Sequence, residues 1–130
     1  MFKYLLYIAG MLGVVILSAG LLTMVGTVTD SENITSIPSN TFTEFSAQLD
    51  EYTILDIRTP AEFAAGHLDG AQNIDFYSTT FQQELQKLDR DKTYVVYCRS
   101  GSRSKHAIQM MENLGFTSIV ELDNGIIECC

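Results

Sequence analysis

The chain has 130 residues and a formal net charge of -8 at pH 7, from 8 Lys plus Arg and 16 Asp plus Glu. At about 100–150 residues per domain, this length accommodates one globular domain. The acidic balance argues against a nucleic-acid-binding protein, which needs a basic face, and against attachment to anionic lipid through charge. Three cysteines are too few for a small domain held together by disulfides.

The first thirty residues differ from the rest, because no charged residue lies between Lys3 and Asp30. As a helix, these 26 positions would be roughly 39 Å long, more than the about 30 Å of bilayer hydrocarbon. Residues 1–30 are therefore predicted to be a membrane or targeting segment, either an uncleaved signal anchor or a secretory signal cleaved after the small residues Ser18 and Gly20. The apolar run continues past Gly20, which favours the anchor.

Charge predicts the orientation of this segment. Lys3 precedes the apolar run, while Asp30 and Glu32 follow it, so the positive-inside rule places the amino terminus in the cytoplasm and the rest of the chain outside it. The domain would be secreted if the segment is cleaved, and the opposite orientation would leave it in the cytosol. Residues 31–40, SENITSIPSN, are polar with one Pro and are interpreted as a linker to a domain at residues 41–130.

Short apolar runs alternate with amphipathic segments from residue 42 onward. Helices are predicted at residues 42–49, at 61–65 after the Thr59-Pro60 cap, around Phe81, Leu85 and Leu88, and at 102–114. Strands are predicted at residues 53–57, 71–74, 93–97 and 117–122. This alternation predicts the α/β class, a small, mostly parallel sheet flanked by helices on both faces. Ligands bind such sheets at the carboxyl ends of the strands.

The segment CRSGSRSK, residues 98–105, follows the most strand-like run of the chain and opens a helix. Arg99, Arg103 and Lys105 supply three of the eight cationic side chains within it. A loop of small residues around Gly101 allows backbone N–H groups to turn inward and bind an anion, and the helix N-terminus adds partial positive charge. These features lower a cysteine pKa from about 8.5 into a range of about 3.5–7.5, so Cys98 is the candidate nucleophile. The alternative is a buried structural cysteine before a solvated helix.

This loop and an upstream stretch together resemble the rhodanese family of single-domain sulfurtransferases. The upstream stretch LDIRTPAEFAAGHLDGAQNI, residues 55–74, contains the Asp-x-Arg pair, the acidic-aromatic pair and the Gly-His-x-x-Gly-Ala-x-Asn run of that family. In this chain they are Asp56, Arg58, Glu62, Phe63, Gly66, His67, Gly70, Ala71 and Asn73. Residues 114–116 and 123–126 match later parts of the family. The resemblance spans about residues 41–127 and implies a rhodanese-like fold.

The resemblance implies sulfur transfer without a cofactor. Four residues separate Cys98 from Arg103, one fewer than in the similar loops of cysteine-dependent phosphatases. The Cys98 thiolate would take sulfur from thiosulfate or a persulfide, and cyanide or a thiol would accept it from the Cys98 persulfide. Two other interpretations stay open: a non-enzymatic binding or persulfide-relay module, and a cysteine-based phosphatase or arsenate reductase.

The resemblance also assigns roles to single residues. The substrate-binding candidates are the loop residues Arg99, Ser100, Gly101, Ser102 and Arg103. Arg103 is either a cation for the substrate or an outward structural residue. Asp56 and Arg58 are supporting candidates in a network near the loop, and His67 is a further one, for which capping or packing is favoured over a role as general base. No spacing of His, Cys and Asp resembles a zinc site.

The C-terminal end departs from the family pattern. Family members continue after the Gly-Ile pair into a helix that bears an aromatic residue, whereas this chain ends in IIECC. We therefore expect either a partly uncovered sheet face or an incomplete sequence. Cys129 and Cys130 are interpreted as a tail without a role, with a vicinal disulfide or a reaction with the Cys98 persulfide as alternatives.

Overall fold

A computed structural model describes residues 32–128 of the chain. The predicted membrane segment, residues 1–30, and the Cys129-Cys130 pair lie outside the described residues. Among the described helices, none is long and apolar enough to cross a membrane.

Strands and helices alternate along the described residues, which confirms the predicted α/β class. The strands are β1 Ile34–Pro38, β2 Thr53–Asp56, β3 Gln72–Asn73, β4 Thr93–Tyr97 and β5 Ser118–Asp123. The α-helices are α1 Phe42–Ser46, α2 Pro60–Ala65, α3 Phe81–Gln86 and α4 Ser102–Asn113, and 3₁₀ turns occupy Ser39–Thr41 and Gly125–Glu128.

The strands form one parallel sheet in the order β1-β5-β4-β2-β3. Strand β4 lies at its centre, and its sequence TYVVY is buried from Tyr94 to Tyr97. Central parallel strands are covered on both faces, which is why this run is apolar without a polar alternation. Because all strands are parallel, their carboxyl ends meet at one edge of the sheet, and Cys98 follows β4 directly at that edge.

Each face of the sheet has its own hydrophobic core. Successive residues of β4 point to opposite faces, so Val96 and Cys98 belong to one core while Val95 and Tyr97 belong to the other. Helices α3 and α4 cover the first face, with buried residues that include Phe81, Leu85, Ala107, Ile108 and Met111. The second face is covered by Phe42 of α1 and by Leu68 of the segment between α2 and β3. Helices on both faces are therefore present, as predicted.

The structure corrects the prediction that residues 31–40 form a linker. Within that segment, strand β1 pairs in parallel with β5 along its whole length, from Ile34 opposite Ile119 to Pro38 opposite Asp123. The strand lies at the edge of the sheet, so only Ile37 of its five residues is buried, and the segment looks polar in sequence. Pro38 is tolerated because an edge strand has a side that needs no N–H donor. The folded domain thus begins before residue 41.

Candidate active site

The loop that follows β4 folds back over the sulfur of Cys98. Cys98 has 0% of its surface exposed, and the Gly101 N–H donates a hydrogen bond to its Sγ at 3.1 Å. Gly101 has a φ of 88°, a left-handed conformation that glycine adopts at little cost, and it precedes the first residue of α4. A residue with a side chain would resist this turn, so Gly101 brings both the loop and the helix N-terminus to the sulfur.

Hydrogen-bond donors around Cys98 favour its thiolate form. Burial by itself raises the pKa of the thiol, because removal from water disfavours a charged group. The backbone N–H groups of Ser104, Ser100 and Gly101 outweigh this effect together with the Ser104 hydroxyl, so the pKa of Cys98 is lowered. These donors form an anion-binding nest at the start of a helix, as the small-residue loop predicts.

The C-terminal 3₁₀ turn, Gly125–Glu128, holds the same loop from its other side. The Ile126 N–H donates to the Cys98 carbonyl at 3.0 Å, and the Ile127 N–H donates to the Arg99 carbonyl at 3.3 Å. Gly125 has a φ of 61°, and a Cβ at this position would overlap the carbonyl groups of Cys98 and Arg99. Gly125 is therefore required by close backbone contact, a role that the sequence pattern alone did not indicate.

Arg103 is held by Glu62 of helix α2. Its Nη1 and Nη2 lie 2.8 Å from Glu62 Oε2 and Oε1, and its Cζ lies 5.6 Å from the ring centroid of Tyr77. Hydrogen bonding to Arg103 lowers the pKa of Glu62 to about 2, and the same pair raises the pKa of Arg103. Of the two roles left open for Arg103, this contact favours the structural one. The sequence placed Glu62 only in a motif and did not predict its partner.

Asp56 and Arg58 form a buried network with Tyr97. Arg58 Nη2 lies 2.6 Å from Asp56 Oδ2, and the Tyr97 hydroxyl donates to the same oxygen at 2.7 Å. Burial and the bond to Asp56 raise the pKa of Tyr97, so its hydroxyl keeps the proton that it donates. Arg58 also donates to the Gly66 carbonyl, and Asn73 donates to the carbonyls of Asp56 and Arg58.

This network lies on the opposite face of the sheet from Cys98. Tyr97 belongs to the second core and Cys98 to the first, because successive strand residues alternate between faces. The network therefore supports the end of β4 and the loop from behind. This position agrees with a supporting role for Asp56 and Arg58 rather than with contact to the Cys98 sulfur.

The other predicted residues lie on the surface around the loop. Arg99, Ser100 and Ser102 are exposed at its rim, and the Lys105 side chain is 65% exposed. His67 is exposed, with its Nδ1 2.8 Å from the Phe63 carbonyl and its ring stacked on Phe63 at a centroid distance of 3.7 Å. These contacts are those of a packing residue. No group of three or more metal-binding side chains occurs within residues 32–128.

Two polar residues near Cys98 were not predicted from the sequence. Ser104 is fully buried on α4, with its Oγ 3.8 Å from Cys98 Sγ and 3.1 Å from Glu121 Oε1. Glu121 is 7% exposed on β5. The sequence contains one signal for Glu121: a single acidic residue inside the apolar run IVEL of a buried strand requires a polar partner.

Comparisons with known sequences place this geometry in a family. The profile of the Rhodanese-like domain matches residues 41–128. A probable adenylyltransferase/sulfurtransferase MoeZ of Mycobacterium tuberculosis is 38% identical over 74 residues, which cover 57% of this chain and 19% of that protein. A sulfurtransferase of Allochromatium vinosum is 30% identical over 94 residues, which cover 72% of this chain and 86% of that protein.

Further matches include a named thiosulfate sulfurtransferase and a solved structure. GlpE of Pseudomonas putida, a thiosulfate sulfurtransferase, is 33% identical over 72 residues, which cover 55% of this chain and 64% of that protein. The crystal structure of a rhodanese-related protein from Thermoplasma volcanium superposes with a TM-score of 0.59 at 32% identity, covering 71% of this chain and 86% of that chain. The chain thus spans about a fifth of MoeZ and most of the smaller relatives. With its five-stranded parallel sheet and its Cys98 loop at the carboxyl edge, this chain belongs to the rhodanese-like family.

Proposed function

We propose that the protein is a sulfurtransferase that moves sulfane sulfur from thiosulfate or a persulfide to cyanide or a thiol by way of a Cys98 persulfide. This proposal is carried by one observation: backbone N–H groups surround the Cys98 sulfur and lower the pKa of its thiol. The names of the matched relatives add support, since MoeZ and the Allochromatium protein are called sulfurtransferases and GlpE a thiosulfate sulfurtransferase.

The first half of the reaction uses the thiolate as nucleophile. Cys98 Sγ attacks the outer sulfur of thiosulfate, the S–S bond of thiosulfate breaks, and sulfite leaves with the electron pair of that bond. In the persulfide, the transferred sulfur lies against the loop, close to the Gly101 N–H that donates to Sγ. Donors already oriented toward that place stabilise negative charge on the persulfide without rearranging during the reaction.

The second half returns the enzyme to its starting state. Cyanide or a thiolate attacks the outer sulfur of the persulfide, the new S–S bond breaks, and Cys98 leaves as a thiolate with the electron pair. A thiolate with a lowered pKa is a good leaving group as well as a nucleophile that is present at neutral pH. The same N–H donors therefore favour both halves of the double displacement.

Substrate binding is proposed at the loop residues, with different tasks for its two arginines. Arg99 is exposed at the rim, where its guanidinium is available to the sulfonate group of thiosulfate. Arg103 is engaged by Glu62, so we assign it to the shape of the loop rather than to direct contact with substrate. Ser100, Gly101 and Ser102 contribute the backbone of the cradle. Because Cys98 has no exposed surface, substrate reaches the sulfur only when this rim moves.

Intact mass spectrometry of the full-length chain before and after thiosulfate tests the proposal. We expect a gain of one sulfur atom that is lost on addition of cyanide and is absent from Cys98→Ser. The variant with Cys129→Ser and Cys130→Ser is the matched control and should gain the sulfur like the unchanged chain. A gain that persists in Cys98→Ser would assign the chemistry to the terminal cysteines. Folded, reduced protein that gains no sulfur from thiosulfate but forms a persulfide from a protein partner would select the relay alternative.

We also propose that residues 1–30 anchor the domain to a membrane and that the domain lies outside the cytoplasm. The support is the charge-free run of 26 positions, with Lys3 before it and acidic residues after it. Alkaline extraction of membranes, followed by protease treatment from the outer side, tests both parts. We expect the chain to stay in the membrane fraction and the domain to be digested. A protected domain would reverse the orientation, and release of a shorter chain would indicate cleavage and secretion.

A further inference from the structure

A buried carboxylate lies one side chain away from the nucleophile. Glu121 of β5 is 7% exposed and lies on the sheet face that α4 and Cys98 share. Its neighbours across the sheet, Ser36 on β1 and Val96 on β4, carry no charge. The charged groups that act on it are Lys105 on α4 and Asp123 on its own strand. Nothing in the sulfur-transfer scheme above uses this carboxylate.

Ser104 connects the carboxylate to the sulfur. Its Oγ lies 3.1 Å from Glu121 Oε1, 3.8 Å from Cys98 Sγ and 2.9 Å from the Gly101 carbonyl oxygen. A serine hydroxyl has a single proton to donate and two lone pairs that accept. The protonation states of Glu121 and Cys98 therefore decide which of these neighbours receives the Ser104 proton.

Two arrangements of protons satisfy the buried polar atoms of this cluster. In the first, Cys98 is a thiol that donates to Ser104 Oγ, Ser104 donates to the Glu121 carboxylate, and the Gly101 carbonyl accepts the Lys105 N–H at 3.3 Å. In the second, Glu121 is protonated and donates to Ser104 Oγ, Ser104 donates to the Cys98 thiolate, and the thiolate also accepts the Gly101 N–H. The two arrangements contain the same number of protons.

The electrostatic environments of Glu121 and Cys98 bring the pKa values of these two groups closer together. Burial raises the pKa of Glu121, and Asp123 adds to this, while the Ser104 hydroxyl and Lys105 oppose it. The pKa of Cys98 is shifted the other way, since its N–H donors outweigh burial. A carboxyl and a thiol ordinarily differ by several pKa units, and these opposite shifts narrow the difference. Groups that interact in this way titrate as a pair.

We propose that Cys98 and Glu121 share one proton through the Ser104 hydroxyl, which makes Glu121 a positioning residue that accepts the proton of the nucleophile. The Cys98 S–H bond breaks and its proton joins Ser104 Oγ, while the former hydroxyl proton of Ser104 joins Glu121 Oε1. No base from solvent is required. The proposal rests on the proposed function only in that it takes Cys98 as the nucleophile.

The test is a pH titration of the Cys98 thiolate by its ultraviolet absorbance. The parent is the full-length chain with Cys129→Ser and Cys130→Ser, and the same chain with Cys98→Ser added is the blank. We expect the parent to form thiolate in two steps, one for each proton lost by the pair. Glu121→Gln, whose amide still donates to Ser104 Oγ but takes up no proton, should titrate in a single step. Its midpoint should lie more than about one pH unit below the upper step of the parent.

Matched variants separate this coupling from a general effect of charge or stability. Asp123→Asn removes an acidic group from the same strand as Glu121, at a position where the side chain is 47% exposed. This variant should keep the two titration steps. Ser104→Ala removes the bridge and should bring the two steps closer together. If Glu121→Gln does not fold, the Ser104→Ala titration decides the question alone. A parent that titrates in one step, or a Glu121→Gln titration that matches the parent, would overturn the proposal.

This measurement is independent of sulfur transfer. A two-step titration in a protein that forms no persulfide would keep the shared proton and contradict the proposed function. A one-step titration in a protein that does form the persulfide would overturn the shared proton and leave the proposed function standing. The rate of alkylation of Cys98 by iodoacetamide should follow the same steps, because only the thiolate reacts.

Discussion

The Arg103 guanidinium and the Glu62 carboxylate meet at two points, with both N–O distances at 2.8 Å, and this ion pair joins the first turn of α4 to α2. Glu62 also accepts from the Thr59 N–H and hydroxyl, each at 3.0 Å, as part of a capping box. Both residues of the ion pair thus lie in helices, Glu62 in α2 and Arg103 in α4. Since the first turn of α4 supplies the Ser104 N–H and hydroxyl to Cys98, Arg103 positions the turn that lies against the Cys98 sulfur.

We expect Arg103→Ala to lower the free energy of unfolding by about 1–3 kcal/mol, because it leaves the half-buried Glu62 carboxylate without its charged donor. It should also slow persulfide formation by displacing the loop. Glu62→Gln should have a similar effect, and the double variant should be little worse than either single one. Denaturant unfolding and the rate of sulfur uptake measure both effects. Lys105→Ala, at an exposed position, is the control; additive losses in the double variant would argue against the coupling.

The Glu62 pair predicts a dependence of stability on acid pH. The pKa of Glu62 is lowered in the folded protein to about 2 from 4.5, so the folded state binds this proton less readily than the unfolded state. The stability from this group is complete above pH 4.5 and is lost as the pH falls toward 2. Glu62→Gln should therefore show a shallower loss of stability across that window. Thermal unfolding at a series of pH values measures it, and identical slopes for the two proteins would contradict the assignment.

Tyr97→Phe should affect stability without changing the chemistry. The substitution removes the donor to Asp56 Oδ2 at 2.7 Å and leaves the buried Leu68 N–H without the acceptor that it contacts at 3.1 Å. Loss of partners for buried polar groups costs about 1–3 kcal/mol. Because Tyr97 lies on the opposite face from the sulfur, the rate of persulfide formation by the folded variant should stay within about twofold of the parent. A strong loss of rate with unchanged stability would place this network in the reaction.

Gly125→Ala tests the close approach of the C-terminal turn to the loop. A Cβ at this position would overlap the carbonyl groups of Cys98 and Arg99, so the turn must move away and its two hydrogen bonds to the loop must weaken. We expect a loss of stability larger than the about 1–2 kcal/mol that a left-handed alanine costs, together with slower sulfur uptake. Gly70→Ala is the matched control, because Gly70 has a φ of 76° and no atom within 4 Å of its Cβ position. Equal losses in both variants would mean that only the left-handed backbone conformation disfavours alanine at Gly125, and that the close contact with the loop does not.

Several features of this protein were determined by the sequence itself, because they depend on neighbours along the chain. Helix α2 was predicted from the Thr59-Pro60 pair, and the capping box between Thr59 and Glu62 shows why that signal was sufficient. Strand β4 was predicted from the β-branched and aromatic run that it contains. The turn of backbone N–H groups toward Cys98 was predicted from the small residues that follow it. In each case the interacting atoms lie within a few residues of each other.

Other features were decided only by the tertiary structure, because they join residues that are distant in sequence. The parallel pairing of β1 with β5 turned a polar segment into an edge strand. The order of the strands brought Glu121 to Ser104, and the fold brought Glu62 of α2 to Arg103 of α4, 41 residues away. A local pattern predicts which face of a strand is buried, but the partner of a buried polar side chain depends on which strands and helices become neighbours. The contact of Glu121 with Ser104 could therefore be found only in the folded chain.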